Sequence, residues 1–199
     1  RGLGDVYKRQ EYIMPRVDED IKGGNELLDI IDESLDKVNC KERHICAGNH
    51  DEWLDRFVEE HPYLDYRFEK VCRFKERGYK YHPPGKYLKI GKLYFYHGHH
   101  FGGQYHAANH LRKLGANIMY GHHHDIQVYS DKSAKGPISA YSIGCLKDMS
   151  PEVYGFIGGR TINWKHAFAV VTYHGHNSFV IIVEINNGKA IVDGKLIEG

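Results

Sequence analysis

Three short segments of the chain share one design: a strand-length apolar stretch, a glycine, then polar side chains able to bind a metal. They are Gly48-Asn49-His50-Asp51, His97-Gly98-His99 and Gly121-His122-His123-His124. The recurrence constrains the fold, because loops after strand ends are where α/β folds gather their sites, several strands delivering side chains to one edge. Glycine at such a position lets the backbone turn sharply and approach a ligand. In an extended Gly-His-x-His, side chains alternate, so His122 and His124 are expected on one side and His123 on the other. Imidazole and amide oxygen together suit a borderline divalent ion such as Zn, Mn, Fe or Ni.

Patterning along the chain supports a single α/β domain. Helical spacing covers residues 18–38 through Leu27, Leu28, Ile31, Leu35 and Val38, with Asn25 the expected N-cap after Gly23-Gly24. A strand is expected over residues 43–47, helices over 51–59 and 63–77, and strands over 87–90 and 92–96. A helix over 104–114, ended by Gly115, precedes a strand over 117–120. The remainder reads as β: 126–130, 138–142, 167–173, 178–185 and 190–192, with Asn187-Gly188 and Asp193-Gly194 as hairpin turn pairs. His174-Gly175-His176 reads as a hairpin turn, and His61-Pro62 and His82-Pro83-Pro84-Gly85 as loops.

Composition removes several function classes. With 27 Lys+Arg against 26 Asp+Glu the chain carries no polybasic surface for nucleic acid or membrane. No apolar run approaches the roughly 18 residues of a bilayer span, and no signal-peptide pattern opens the chain. Cys40, Cys46, Cys72 and Cys145 have no Cys-x-x-Cys spacing and read as buried free thiols of a cytoplasmic protein. Residues 1–10, RGLGDVYKRQ, resemble a translated sequencing adaptor, so the fold reading begins at residue 11, and residues 11–199 are expected to form an N-terminally truncated domain. Histidine is in excess, 15 of 199 residues, and eight of them fall within residues 97–124.

The three segments, in this order and strand context, resemble the calcineurin-like metallophosphoesterase superfamily, over residues 38–199. The stretch from Gly144-Cys145-Leu146-Lys147 through Pro151 and the segment 164–171 look like a phage- and bacteria-associated branch. The resemblance implies two mixed sheets packed as a sandwich with helices outside, the first strand and helix units missing. It implies that Asn49, His97 and His122 bind one divalent metal and His124 a second. It also implies that His50, not a ligand, stabilises or protonates the leaving oxygen. In such a site two cations clamp the phosphoryl oxygens and generate a hydroxide for in-line attack, while the imidazole offsets charge on the departing oxygen. The implied activity is metal-dependent hydrolysis of a phosphomonoester or phosphodiester, on a small molecule or nucleic acid, with no membrane partner.

The family's Asp-x-His and Gly-Asp-x-x-Asp do not occur in the sequence, so the chain is expected to hold one near-complete metal site and to be impaired in turnover. The rival readings are a non-catalytic metal-binding module, a pseudoenzyme, and a ββα-type His-metal nuclease, which the neutral charge disfavours. Four further sets complete the inventory. His106 and His110, one helical turn apart, could chelate a metal, but with no intervening acid they are expected on a solvated or pocket-lining face. His99 and His100 are placed equally at substrate phosphate or at the surface, and His166 and Asp148 at a pocket rim. The tyrosines, 15 in all, are expected to pack with their hydroxyls at the rim.

Overall fold

The computed structural model describes residues 3–64, 66–148 and 162–199, with side chains from residue 17 onward. Met149, Ser150 and Pro151 of the branch-like segment, and the side chains of residues 1–10, lie outside the described residues. The architecture is mixed α/β. The chain divides into two compact units, one formed by residues through Ile45 with His50–Tyr81, the other by Cys46–Asn49 with His82–Gly199.

In the first unit, helix α1 (Leu3–Lys37) runs straight through Gly23-Gly24. Asn25 therefore does not cap it. Its amide donates to the Val71 carbonyl at 3.0 Å, and its oxygen accepts from Arg77 at 3.0 Å. Two mid-helix glycines cost about 1 kcal/mol each, and the tertiary anchoring of the next turns offsets this: Arg77 reaches Asp29 at 2.7 Å and Asp32 at 2.6 Å, and Arg43 reaches Asp32 at 3.1 Å.

Strand β1 (Arg43–Cys46) and helix α2 (Asn49–Glu60) fall where the pattern puts them. The helix expected over 63–77 shrinks to α3 (Phe68–Val71), because Arg73 turns left-handed at φ 53°. Packing explains the break. Six residues apart, Phe68 and Phe74 would stand about 120° apart around a helix and about 9 Å apart along it, whereas here their rings meet at 5.3 Å and Phe74 stacks on Tyr81 at 5.8 Å. Tyr81 belongs to β2 (Tyr79–His82), a strand with no alternation strong enough to show in the sequence, which pairs with β1.

The second unit is built on a five-stranded mixed sheet in the order β3-β4-β5-β7-β6. Its strands are β3 (Leu88–Ile90), β4 (Leu93–Phe95), β5 (Asn117–Tyr120), β6 (Ile126–Ser133) and β7 (Gly136–Ile143). Helix α4 (His106–Leu114) is the crossover that allows β4 and β5 to run parallel. Strand β7 is also parallel to β5, and β3 and β6 pair antiparallel at the edges. Residues 97–98, 121–124 and 144–145 thus leave the sheet at the same edge, which is what gathers the candidate ligands.

The core packs α4 on this sheet through Tyr96, Ala107, Leu111, Ile118, Tyr120 and Ala140. Leu111 and Leu93 are fully buried, each stabilising by about 1.5–3 kcal/mol. Two antiparallel pairs complete the unit, β8 (Ala167–His174) with β9 (Asn177–Glu184) and β10 (Lys189–Val192) with β11 (Lys195–Glu198). His174-Gly175-His176 is the β8–β9 turn, as its flanking strands imply. All four cysteines are free thiols; Cys72 is buried and the others half-buried.

Candidate metal centre

Asn49, His97 and His122 come together in the second unit. His97 Nε2 lies 2.9 Å from Asn49 Oδ1 and 2.9 Å from His122 Nδ1. All three residues are half-buried, so water reaches the group while its surroundings stay less polar than bulk. Two loops are stitched directly to each other, since the amides of Gly121 and His122 both donate to the His97 carbonyl, at 3.2 and 2.9 Å.

Glycine is required at two points. A Cβ on Gly48 would fall 2.7–2.9 Å from three atoms of the His97 ring, so a side chain there would displace the imidazole. A Cβ on Gly98 would fall 2.6 Å from Tyr120, and its φ of +105° disfavours any L side chain.

The donor set fits a divalent ion. An amide oxygen and two imidazoles are donors that a borderline divalent ion accepts.

His124 has another environment. The segment 121–124 is not extended. It forms a tight turn in which the His124 amide donates to the Gly121 carbonyl at 3.1 Å, and His124 takes φ 61°. The alternation argument for His122 and His124 therefore does not apply. The His124 ring packs edge-on against Trp164 at 4.5 Å. His50 lies in the first turn of α2, exposed, its ring 4.3 Å from Trp53, and it belongs to the first unit. His99 is half-buried, with its ring 5.7 Å from His97 and 6.2 Å from His122. Asp148, Trp164 and His166 line one open cavity of about 440 Å³.

A second histidine group was not legible in advance. His106 and His110 are buried, 3% and 0% exposed, which corrects the expectation of a solvated face. Helix α4 turns them onto the sheet, where the His123 ring joins them. His123 stacks on His106 at 3.8 Å and donates through Nε2 to the Phe101 carbonyl at 3.1 Å. One ring nitrogen from each of the three residues lies within 4.8 Å of the others, close enough to hold a metal ion. An ion must lie in the plane of every imidazole that binds it, so rings stacked only 17° from parallel cannot both face one ion until one of them turns.

Several nitrogens of this group already have protein partners. His106 contacts Tyr120 Oη at 2.7 Å through Nδ1 and Asp125 at 3.0 Å through Nε2, and His110 Nδ1 bonds to Tyr96. Among the described buried side-chain atoms of this group, His110 Nε2 has no hydrogen-bond partner. Burial, with the charges of His123 and His106, pushes His110 down to about 4, an effect the nearby Phe101 carbonyl partly opposes. Tyr96 and Tyr120 place their hydroxyls inside, not at the rim, and burial raises both well above the usual phenol range. The i, i+4 histidine spacing and the aspartate directly after the triple histidine were the available signals for this group.

Among the described residues no helix is long and apolar enough to cross a membrane. Compared with known proteins, the chain matches no protein family, and no curated protein matches it.

Proposed function

We propose that the chain carries the metal centre of a metal-dependent phosphoesterase with the calcineurin-like two-sheet architecture. One observation carries the reading: the Asn49 amide oxygen and His122 Nδ1 each lie 2.9 Å from His97 Nε2, the three residues following the ends of three strands. Asn49, His97 and His122 would hold one divalent ion, and His124 is the candidate ligand of a second. When bound, such ions polarise a phosphoryl oxygen and lower the pKa of water to near 7.

The chain's own residues then have separate tasks. Gly48 keeps the space in which the His97 ring sits. The His97 carbonyl, by accepting from Gly121 and His122, fixes the spacing between two ligand loops. His50, exposed at the start of α2, supplies the imidazole that hydrogen-bonds to or protonates the leaving oxygen. A phosphoester in aqueous solution is the proposed partner and the cytoplasm the proposed compartment.

The test is hydrolysis of bis(p-nitrophenyl) phosphate and p-nitrophenyl phosphate in Mn²⁺, set beside Mn²⁺ binding by calorimetry. His50→Ala is expected to lower turnover about 10²–10⁴-fold and leave Mn²⁺ affinity unchanged. Unchanged turnover in that variant removes the role given to His50. Absence of any Mn²⁺ binding removes the metal centre itself.

A further inference from the structure

Beneath the two ligand loops of the second unit lies a chain of buried polar groups that the proposed chemistry does not use. Asp125, 3% exposed, is its anchor. Its Oδ1 accepts from Ser142 at 2.9 Å; its Oδ2 accepts from His106 Nε2 at 3.0 Å, Gln127 at 3.1 Å and Asn163 at 3.1 Å. Burial works to raise this carboxyl, but the bonds from His106, Ser142 and Gln127 hold it below the usual range.

A carboxylate only accepts, so the proton of a neutral His106 sits on Nε2. Nδ1 then offers a lone pair, and the Tyr120 hydroxyl donates to it at 2.7 Å. The order Tyr120 to His106 to Asp125 has one direction, and each member is satisfied only when the others are in place.

The ends of this chain carry the argument further. Tyr120 directly precedes the 121–124 turn and Asp125 directly follows it, so His106 closes a bridge across the base of the turn that carries His122. The Tyr120 ring is pressed against Gly98, the residue after His97, as the 2.6 Å approach of a Cβ there shows. His106 also supports the turn from inside, through its stack on His123 at 3.8 Å.

We propose that Tyr120, His106 and Asp125 form a hydrogen-bonded clamp that positions His97 and His122 for a divalent cation. The three are positioning residues for the metal centre. A buried network of this kind specifies one arrangement only when fully satisfied, and metal ligands tolerate misplacement of only about 0.5 Å. The clamp rests on the metal reading of Asn49, His97 and His122, and its test separates the two.

The full chain is compared with Asp125→Asn, His106→Gln, Tyr120→Phe and, as a control, Ile138→Ala, which loosens the same core away from the turn. The first measurement is hydrogen exchange of the Gly121 and His122 amides in metal-free protein. Asp125→Asn and His106→Gln should speed it about 5–10-fold beyond the control at equal global stability.

The second is Co²⁺ affinity, expected to fall about 10–100-fold in those variants and less in Tyr120→Phe, which keeps the ring under Gly98. If both variants unfold, Tyr120→Phe alone decides, since it removes a single oxygen. Exchange and Co²⁺ affinity equal to those of Ile138→Ala overturn the clamp. Faster exchange in a protein that binds no Co²⁺ even as wild type overturns the metal reading and the positioning role with it. A Co²⁺ equivalent that survives His97→Ala and vanishes in His106→Gln overturns the clamp in favour of a metal at the buried histidines.

Discussion

His122 and His123 are consecutive residues whose rings stand 5.0 Å apart, yet their surroundings are opposite in kind. His122 Nδ1 and Asn49 Oδ1 each lie 2.9 Å from His97 Nε2. His123 lies on His106 and gives its Nε2 proton to a carbonyl. Around it, Tyr120, Asp125 and Tyr96 meet the nitrogens of His106 and His110. The first group offers two imidazoles and an amide oxygen, the donor set proposed for a cation. In the second, protein partners meet both nitrogens of His106, Nδ1 of His110 and Nε2 of His123, while the buried His110 Nε2 has none. Histidine content alone distinguishes neither, and what a ring nitrogen faces distinguishes both.

Several substitutions would break or sharpen this contrast. The largest effect is expected from His97→Ala, which removes the atom shared by both 2.9 Å contacts. Mn²⁺ or Zn²⁺ affinity, read by calorimetry, should fall by more than about 100-fold, beyond what loss of an outer-sphere partner gives. His123→Ala should stay within about tenfold of wild type; equal losses in the two variants would erase the distinction.

Gly48→Ala comes next. Its Cβ would sit 2.7–2.9 Å from the His97 ring, and overpacking of this kind destabilises by about 1–3 kcal/mol. Thermal unfolding should show that loss, with metal affinity falling alongside it. A neutral result would mean that the ring is not held against the backbone.

Acid sensitivity should be the gentlest effect, and it belongs to the buried group. Burial, with the charges of His123 and His106, pushes His110 in the folded chain down to about 4 from its ordinary 6.5. The unfolded chain therefore binds a proton that the folded chain refuses between those two values. Stability from this residue is complete above pH 6.5, declines as the pH falls, and levels off near 4. Urea unfolding of metal-free protein across this window should show the slope, and His110→Leu should flatten it; an unchanged slope in that variant would assign the effect elsewhere.

How much of this was legible in the sequence depends on how local the cause is. The strand-glycine-ligand segments exposed Asn49, His97 and His122 because spacing and strand ends are local features, and parallel β4, β5 and β7 then deliver the loops to one edge. The 121–124 turn was not legible, because its closure depends on backbone hydrogen bonds to residues in other loops, including the His97 carbonyl. Nor was the burial of His106 and His110 legible, since a helix rich in polar residues gives no sign that Tyr96, Tyr120 and Asp125 wait to pair with them. The α3 region misled for the related reason that Phe68 and Phe74 pack on each other only if the helix stops. Asn25 looks like a cap by type and becomes an anchor because Arg77 and Val71 reach it from 52 and 46 residues away.

The contrast between the two histidine groups is tested most directly by histidine-ring ¹H–¹⁵N NMR during titration of the full chain with Zn²⁺. The account predicts that the ring signals of His97 and His122 shift with the first equivalent, while His106 keeps the signature of an Nε2 proton held by Asp125. Movement of His106, His110 and His123 first, with His97 and His122 unchanged, would contradict it.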